Sequence, residues 1–258
     1  MRQLSSFFGK LVLPMASSFL LNTAVCIGAY LIAQTPAQAQ SQKITDDYLA
    51  RAKVLHEKPG SEQEVIRLTN QVLAISGSAD AYFYRGYARS ESGDRQGAID
   101  DFNQYIAINP KEASAYSNRG IAKFKSGDEQ GSLEDFNKAI ILDHKYHSAY
   151  NNRCIVKTVL GDNQGAISDC NQAIAINPQF AGAFLNRGNA KSTSGDKQGA
   201  IADYNQSIAI NPRVANAWAA RGIAKYQVGD RHGACEDLRR SASLGSRSGQ
   251  RYLPQICQ

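Results

Sequence analysis

Residues 79–112 read ADAYFYRGYARSESGDRQGAIDDFNQYIAINPKE, and the next 34 residues, 113–146, read ASAYSNRGIAKFKSGDEQGSLEDFNKAIILDHKY. The same pattern returns over 147–180 and 181–214, and in shorter form over 215–244. Tyr82, Tyr116, Tyr150, Phe184 and Trp218 stand 34 residues apart. Four residues beyond each come Gly86, Gly120, Cys154, Gly188 and Gly222. Later in each period come Ala98, Ser132, Ala166, Ala200 and Ala234, then Phe102, Phe136, Cys170, Tyr204 and Leu238. Three periods close with Pro110, Pro178 or Pro212. Each period reads as two amphipathic helices that cannot bury their apolar faces alone, so neighbouring periods must stack into a solenoid with a shared core.

A Gly–Asp pair divides every period: Gly93-Asp94, Gly127-Asp128, Gly161-Asp162, Gly195-Asp196 and Gly229-Asp230. Gly ends the first helix in the left-handed conformation, and Asp caps the free N–H groups of the second. The turn is short, so the two helices run antiparallel. Two charges also recur. Arg85, Arg119, Arg153, Arg187 and Arg221 follow the aromatic by three residues. Asp101, Asp135, Asp169, Asp203 and Asp237 lie 16 residues beyond each Arg. One ion pair per repeat is expected, with a fork-on-carboxylate geometry; an electrostatic ligand site is the competing reading. Lys123, Lys157, Lys191 and Lys225 are expected to snorkel along the same edge.

The aromatic, small-residue, Ala, aromatic and Pro positions resemble the tetratricopeptide repeat family, here of a secreted bacterial type. The likeness covers about two thirds of the chain. It implies an all-α, right-handed superhelical solenoid of stacked antiparallel helix pairs, with five repeats at 79–112, 113–146, 147–180, 181–214 and 215–244. It also implies that first helices line a concave groove where a protein or peptide lies. The groove candidates are Phe83, Tyr84, Tyr87, Ser117, Asn118, Asn151, Asn152, Asn186 and Asn189. The Asn ladder offers donors and acceptors to an extended backbone, and the aromatics offer an anchor at one end. The bland alternative is that the Asn side chains only solvate the groove or bond neighbouring helices. Family members that clamp a C-terminal carboxylate use Lys and Arg at positions where this chain has Asn, Ser, Phe and Leu, so a ligand of that kind is not expected.

Outside the repeats, residues 40–78 read as a divergent first helix pair. A helix is expected over Asp46–Glu57, and a second after the Pro59-Gly60 break, started by a capping box of Ser61 and Glu64. Residues 245–258, with Tyr252, Leu253 and Ile256, are expected to cap the other end. Residues 1–39 carry Arg2 and Lys10, an apolar run from Leu11 to Ala33 and the small-residue end Ala37-Gln38-Ala39, which is the pattern of an export signal cleaved after Ala39. The run is also long enough for a retained membrane anchor. A lipidated Cys26 fits less well, since Val25 is not the small residue expected before it. Export places the chain in a periplasm, a thylakoid lumen or outside the cell.

Apart from Cys26, the cysteines are Cys154, Cys170, Cys235 and Cys257, an even number that permits disulfides in an exported chain. Cys154 takes the small first-helix position of repeat three and Cys170 the facing aromatic position, a swap complementary in volume. A Cys235–Cys257 bond would pin the C-terminal tail. The alternative is buried thiols acting as small apolar groups. No Cys-x-x-Cys zinc pattern, nucleophile motif or phosphate-binding loop occurs, and His144 and His147 read as a solvated loop. No enzyme activity, cofactor or metal is therefore expected. The formal charge is +6, or +4 without Arg2 and Lys10, and its basic residues recur at fixed repeat positions rather than on one nucleic-acid-binding face. The expected protein is a monomeric scaffold for an unidentified protein or peptide, touching a membrane only if the N-terminal segment is retained. Its alternative is a structural or assembly-factor subunit of an envelope or thylakoid complex, using outer and end surfaces.

Overall fold

The structure, a computed structural model, describes residues 35–257. The apolar run assigned to an export signal, Cys26 included, lies outside the described residues. The described chain holds 13 helices and no strand. They are α1 (Pro36–Leu55), α2 (Glu62–Ile75), α3 (Ala79–Ser92), α4 (Arg95–Ile108), α5 (Ala113–Ser126), α6 (Glu129–Leu142), α7 (His147–Val159), α8 (Asn163–Ile176), α9 (Ala181–Thr193), α10 (Lys197–Ile210), α11 (Ala215–Gln227), α12 (Arg231–Ser243) and α13 (Arg247–Ile256). The chain divides into two units, one ending at Asp46 and one starting at Asp47.

In the first unit, α1 begins ten residues before the expected Asp46. Pro36 is well placed at a first helical position. The capping box is here, not at Ser61: the Thr35 N–H donates to Gln38 Oε1 (2.9 Å), and the Gln38 N–H donates to Thr35 Oγ1 (3.3 Å). Ser61 makes no side-chain cap bond. Glu64 is drawn away by Arg67, whose Nε donates to it at 2.7 Å, and Glu62 instead accepts from the Gly60 N–H at 3.0 Å.

In the second unit every helix from α3 onward packs on the helix before it. First helices also touch the next first helix: α3 with α5, α5 with α7, α7 with α9 and α9 with α11. No such contact joins the second helices among the described residues. The first helices therefore form the inner, tighter curve, and the second helices the outer one. The core is a series of small clusters rather than one mass, for example Ala98, Phe102 and Ala122 near one end and Ala200, Tyr204 and Ala224 further on. This matches a stack in which each repeat meets only its neighbours.

The turns are uniform. Gly93, Gly127, Gly161, Gly195 and Gly229 have φ from +84° to +98°, a conformation that side chains resist. The Asp that follows each accepts the N–H three residues on at 2.8–3.0 Å.

A clasp then joins the hairpins. Each repeat Arg donates Nε to its own repeat's Asp at 2.8–2.9 Å and a second N–H to the other carboxylate oxygen. Its remaining Nη1 crosses to an Asn on the preceding hairpin: Arg85 to Asn70, Arg119 to Asn103, Arg153 to Asn137, Arg187 to Asn171 and Arg221 to Asn205, all at 2.6–2.7 Å. The guanidinium lies 4.7–5.7 Å from the centroid of the repeat aromatic. The Asp side is at most 4% exposed. Lys123, Lys157, Lys191 and Lys225 do not merely snorkel: each reaches that same Asp at 2.8–3.0 Å, as Arg89 does in the first repeat. Each buried carboxylate thus has two cations, which offsets its desolvation.

The cysteines pair within this frame. Cys154 and Cys170 meet at disulfide distance between α7 and α8, with Cα atoms 5.6 Å apart. Cys235 and Cys257 do the same between α12 and the chain end, also at 5.6 Å. Helix α13 packs on α12 through Tyr252, Leu253 and Ile256 and also touches α11, and the Arg231 Nε donates to the Ile256 carbonyl at 2.8 Å.

Two outcomes test this packing. Arg119→Lys keeps the charge but loses the fork, the ring stacking and the bond to Asn103; it should cost about 1–2 kcal/mol in urea unfolding, and an unchanged midpoint would remove the clasp as the link between hairpins. Non-reducing peptide mapping should recover the Cys154–Cys170 and Cys235–Cys257 linked peptides, and reduction of the first loop should lower stability by about 3 kcal/mol; free thiols at these four positions would refute both pairings.

Candidate functional site

The inner curve is built by the sides of α3, α5, α7, α9 and α11 that face away from the second helices. Helical periodicity and the clasp fix what this side carries. On α7, α9 and α11 every Arg and Lys (Arg153, Lys157, Arg187, Lys191, Arg221 and Lys225) is turned to the clasp. These three helices contain no Asp or Glu. The inner curve of repeats three to five is therefore uncharged, and is lined by Asn, Ser, Thr, Ala and Ile.

The nine expected groove residues divide into three groups. Asn118 and Asn152 are half-buried and have no side-chain hydrogen-bond partner among the described residues. Asn186 stands at the equivalent place and donates Nδ2 to Asn151 Oδ1 at 2.9 Å, across α9 and α7. Its own carbonyl stays available.

Ser117 and Asn151 were expected on the open face and are not there: they are 1% and 6% exposed. Both sit one residue before the Asn ladder, on the side of the helix that closes against the next repeat. Ser117 lies against the Tyr146 hydroxyl, and burial pushes the pKa of that phenol up. Asn151 is spent on Asn186.

Phe83, Tyr84 and Tyr87 lie together at the N-terminal end of the repeats, with Phe83 turned into the core cluster of Ala98, Phe102 and Ala122. Phe83 meets Tyr105 at 5.1 Å and Phe102 at 5.9 Å between ring centroids. His56 joins Tyr84 at 5.0 Å and Tyr87 at 5.6 Å. Burial raises the pKa of Tyr84, with Asp80 and Glu57 adding to it. A small cavity of about 140 Å³ opens beside Tyr87 and His56, edged by Glu57, Glu62 and Glu91. His56 was not among the expected residues; its sequence context, the end of a helix before Pro59-Gly60, gives no hint that it joins an aromatic group.

Asn189 differs from its companions. In the other repeats its place holds Tyr87, Ile121, Ile155 and Ile223. Here Asn189 Oδ1 accepts from the Tyr204 hydroxyl at 3.0 Å. Tyr204 is 2% exposed, and burial pushes its pKa up to about 12 from 10.0. Its ring is wedged against Gly188, where an added Cβ would lie 2.5 Å from the ring. A cleft of about 270 Å³ opens there, lined by Asn189, Ser192, Thr193, Tyr204, Ala220 and Ile223. The remaining histidine pair expected in a solvated loop divides: His144 is exposed, but the His147 ring packs edge-on to Phe180 at 5.0 Å. Among the described residues, no helix is long and apolar enough to cross a membrane.

Two tetratricopeptide repeat family models match the chain, over residues 80–112 and 181–214. No curated protein matches it in sequence. Among solved structures, a tetratricopeptide repeat protein from Parabacteroides merdae ATCC 43184 superposes with a TM-score of 0.69 at 18% identity, over 92% of this chain and 91% of that one. MamA gives 0.54 at 23% identity, over 64% of this chain and 96% of that one. YrrB, described as a tetratricopeptide repeat protein with an unusual peptide-binding site, gives 0.55 at 18%, over 73% of this chain and 97% of that one. At these identities the likeness is one of fold.

The Tyr204 environment makes a pH prediction. A phenol whose pKa is raised by folding keeps its proton when the unfolded chain has lost it. Stability should therefore fall as pH climbs through the window from about 10 to about 12. Tyr204→Phe should flatten that fall in alkaline denaturation curves. Identical slopes for the two proteins would show that Tyr204 titrates normally.

Proposed function

The chain belongs to the tetratricopeptide repeat family, and from that premise we propose that it is an exported scaffold holding an extended peptide or protein segment along its inner curve. The observation that carries this reading is the row Asn118, Asn152 and Asn186. Two of these amides have no partner among the described residues, and the third keeps its carbonyl free. Each Asn offers both donor and acceptor, as the backbone of an extended peptide requires. The row crosses three successive first helices, so it follows the direction in which such a peptide would lie. Tyr84 and Tyr87 supply the apolar anchor at the N-terminal end, while Phe83, in the register of Ser117 and Asn151, backs them from the core. YrrB's described peptide-binding site, on a similar fold, supports the same use of the architecture.

The partner segment should be largely uncharged where it meets repeats three to five, because the groove there offers no ion to pair with it. An exported, oxidising compartment is supported by the two cysteine pairs at disulfide distance. The reading needs one copy of the chain and no catalysis.

The test is a pull-down of partner from the cell envelope by wild type and by Asn152→Ala with Asn186→Ala. The double variant keeps every clasp and should stay folded, about 1–3 kcal/mol less stable because buried Asn151 loses its partner Asn186, and it should lose the partner by about tenfold or more in affinity. Added salt should change the affinity little, since screening acts on charges the groove does not carry. Undiminished capture by the double variant would transfer binding to the outer and end surfaces and overturn the groove reading.

A further inference from the structure

The cleft between α9 and α11 holds a hydrogen-bonded side-chain pair in a place where no other repeat has one. At the Asn189 position the others carry Tyr87, Ile121, Ile155 and Ile223. At the Tyr204 position they carry Phe102, Phe136, Cys170 and Leu238. The fold is thus built four times without a hydrogen bond at this point, and repeat four does not need one to pack. Yet it has one, from Tyr204 to Asn189, at 3.0 Å.

That bond determines what the pocket offers. With Oδ1 taken by Tyr204, Asn189 points its Nδ2 donors elsewhere, and they have no partner among the described residues. The Ser192 hydroxyl accepts from Lys197 Nζ at 3.1 Å and is itself hydrogen-bonded to the Tyr204 hydroxyl. The Thr193 hydroxyl is spent on the Asn189 carbonyl at 2.9 Å. The Asn189 amide is therefore the open donor of the cleft, and it calls for an acceptor. Lys197 is itself occupied by the carbonyl and hydroxyl of Ser192, and no charged side chain lines the cleft. An ionised carboxylate would lose its water there without a facing cation. Ala220 and Ile223 form the opposite wall, suited to a methylene stem.

We propose that this cleft is a specificity pocket that takes the carboxamide side chain of a glutamine or asparagine in the bound peptide, its carbonyl oxygen accepting from Asn189. The inference rests on the groove reading above and adds to it the one position where side-chain identity is read. The wedging of Tyr204 against Gly188 holds the pocket in shape before a ligand arrives. The cleft volume of about 270 Å³ accommodates the amide with its stem.

The experiment uses a phage-displayed library of random 12-residue peptides, selected on the full chain and counter-selected on Asn152→Ala with Asn186→Ala. Groove-dependent binders should share a glutamine or asparagine at one position. Replacing that residue by leucine in a synthetic peptide should weaken binding about tenfold, the value of one lost hydrogen bond to a site left unpaired. Asn189→Ile and Tyr204→Phe put in residue types that this chain already uses at those positions, so both variants should fold; Asn189→Ile should abolish the preference for the amide over leucine, and Tyr204→Phe, which frees the Asn189 amide to turn, should weaken it. Groove-dependent peptides indifferent to Asn189→Ile would overturn the pocket and leave the groove standing. A shared glutamate in place of glutamine would overturn the carboxamide assignment in favour of a carboxylate. A library yielding no groove-dependent binder would count against the groove and the pocket together.

Discussion

The structure depends on a guanidinium that belongs to two hairpins at once. Each repeat Arg is forked onto its own Asp, stacked against its own aromatic ring and bonded to an Asn of the hairpin before it. A planar group with donors in fixed directions can satisfy all three only in one relative placement of the two hairpins. An ammonium group carries the same charge but has no plane to align. Apolar burial makes the hairpins stack; the clasp decides how. Because five clasps repeat one geometry, the stack inherits a constant step, and a regular curve follows without any residue specifying curvature.

The clasp also divides labour along each first helix. One side holds Arg, Lys and the aromatic ring, and is committed to architecture. The opposite side is free of that duty. Repeats three to five use this freedom to build a surface without charge, while the first repeats gather aromatic rings and carboxylates. Substitution on the free side leaves the clasp untouched, which is why one fold of this kind accommodates many different partners. The Asn189–Tyr204 pair is such a local departure, made at two positions whose counterparts elsewhere form no such bond.

Much of the fold was legible in the sequence because it repeats. The period, the Gly–Asp turn, the Arg–Asp pairing and the meeting of Cys154 with Cys170 all rest on registers that copy themselves, so each copy corrects the reading of the others. What did not copy was misread. Ser61 and Glu64 look like a capping box, but Arg67 competes for Glu64 and wins. Thr35 and Gln38 make the box instead, and only their spacing could have shown it. Ser117 and Asn151 were placed on the open face by counting residues along one helix, whereas their burial comes from the neighbouring helix, which such counting cannot see. The Lys contact with Asp was missed because a long side chain reaches further than its position implies. The Asn of each second helix was visible as a recurring letter at 103, 137, 171 and 205, but its partner lies in the next period.

Neither cysteine pair ties one regular repeat to another. One closes a loop inside a single hairpin, and the other fastens the last hairpin to its lid. Pulled from its two ends, the chain could therefore yield hairpin by hairpin, with no covalent bar between successive units. Only the 16 residues spanned by Cys154 and Cys170 and the 22 spanned by Cys235 and Cys257 would refuse to pay out. At full extension this holds back about 50 Å and about 70 Å of slack. Tension would thus be absorbed everywhere except at the middle and at one end, and the molecule would behave as a spring with two locked coils.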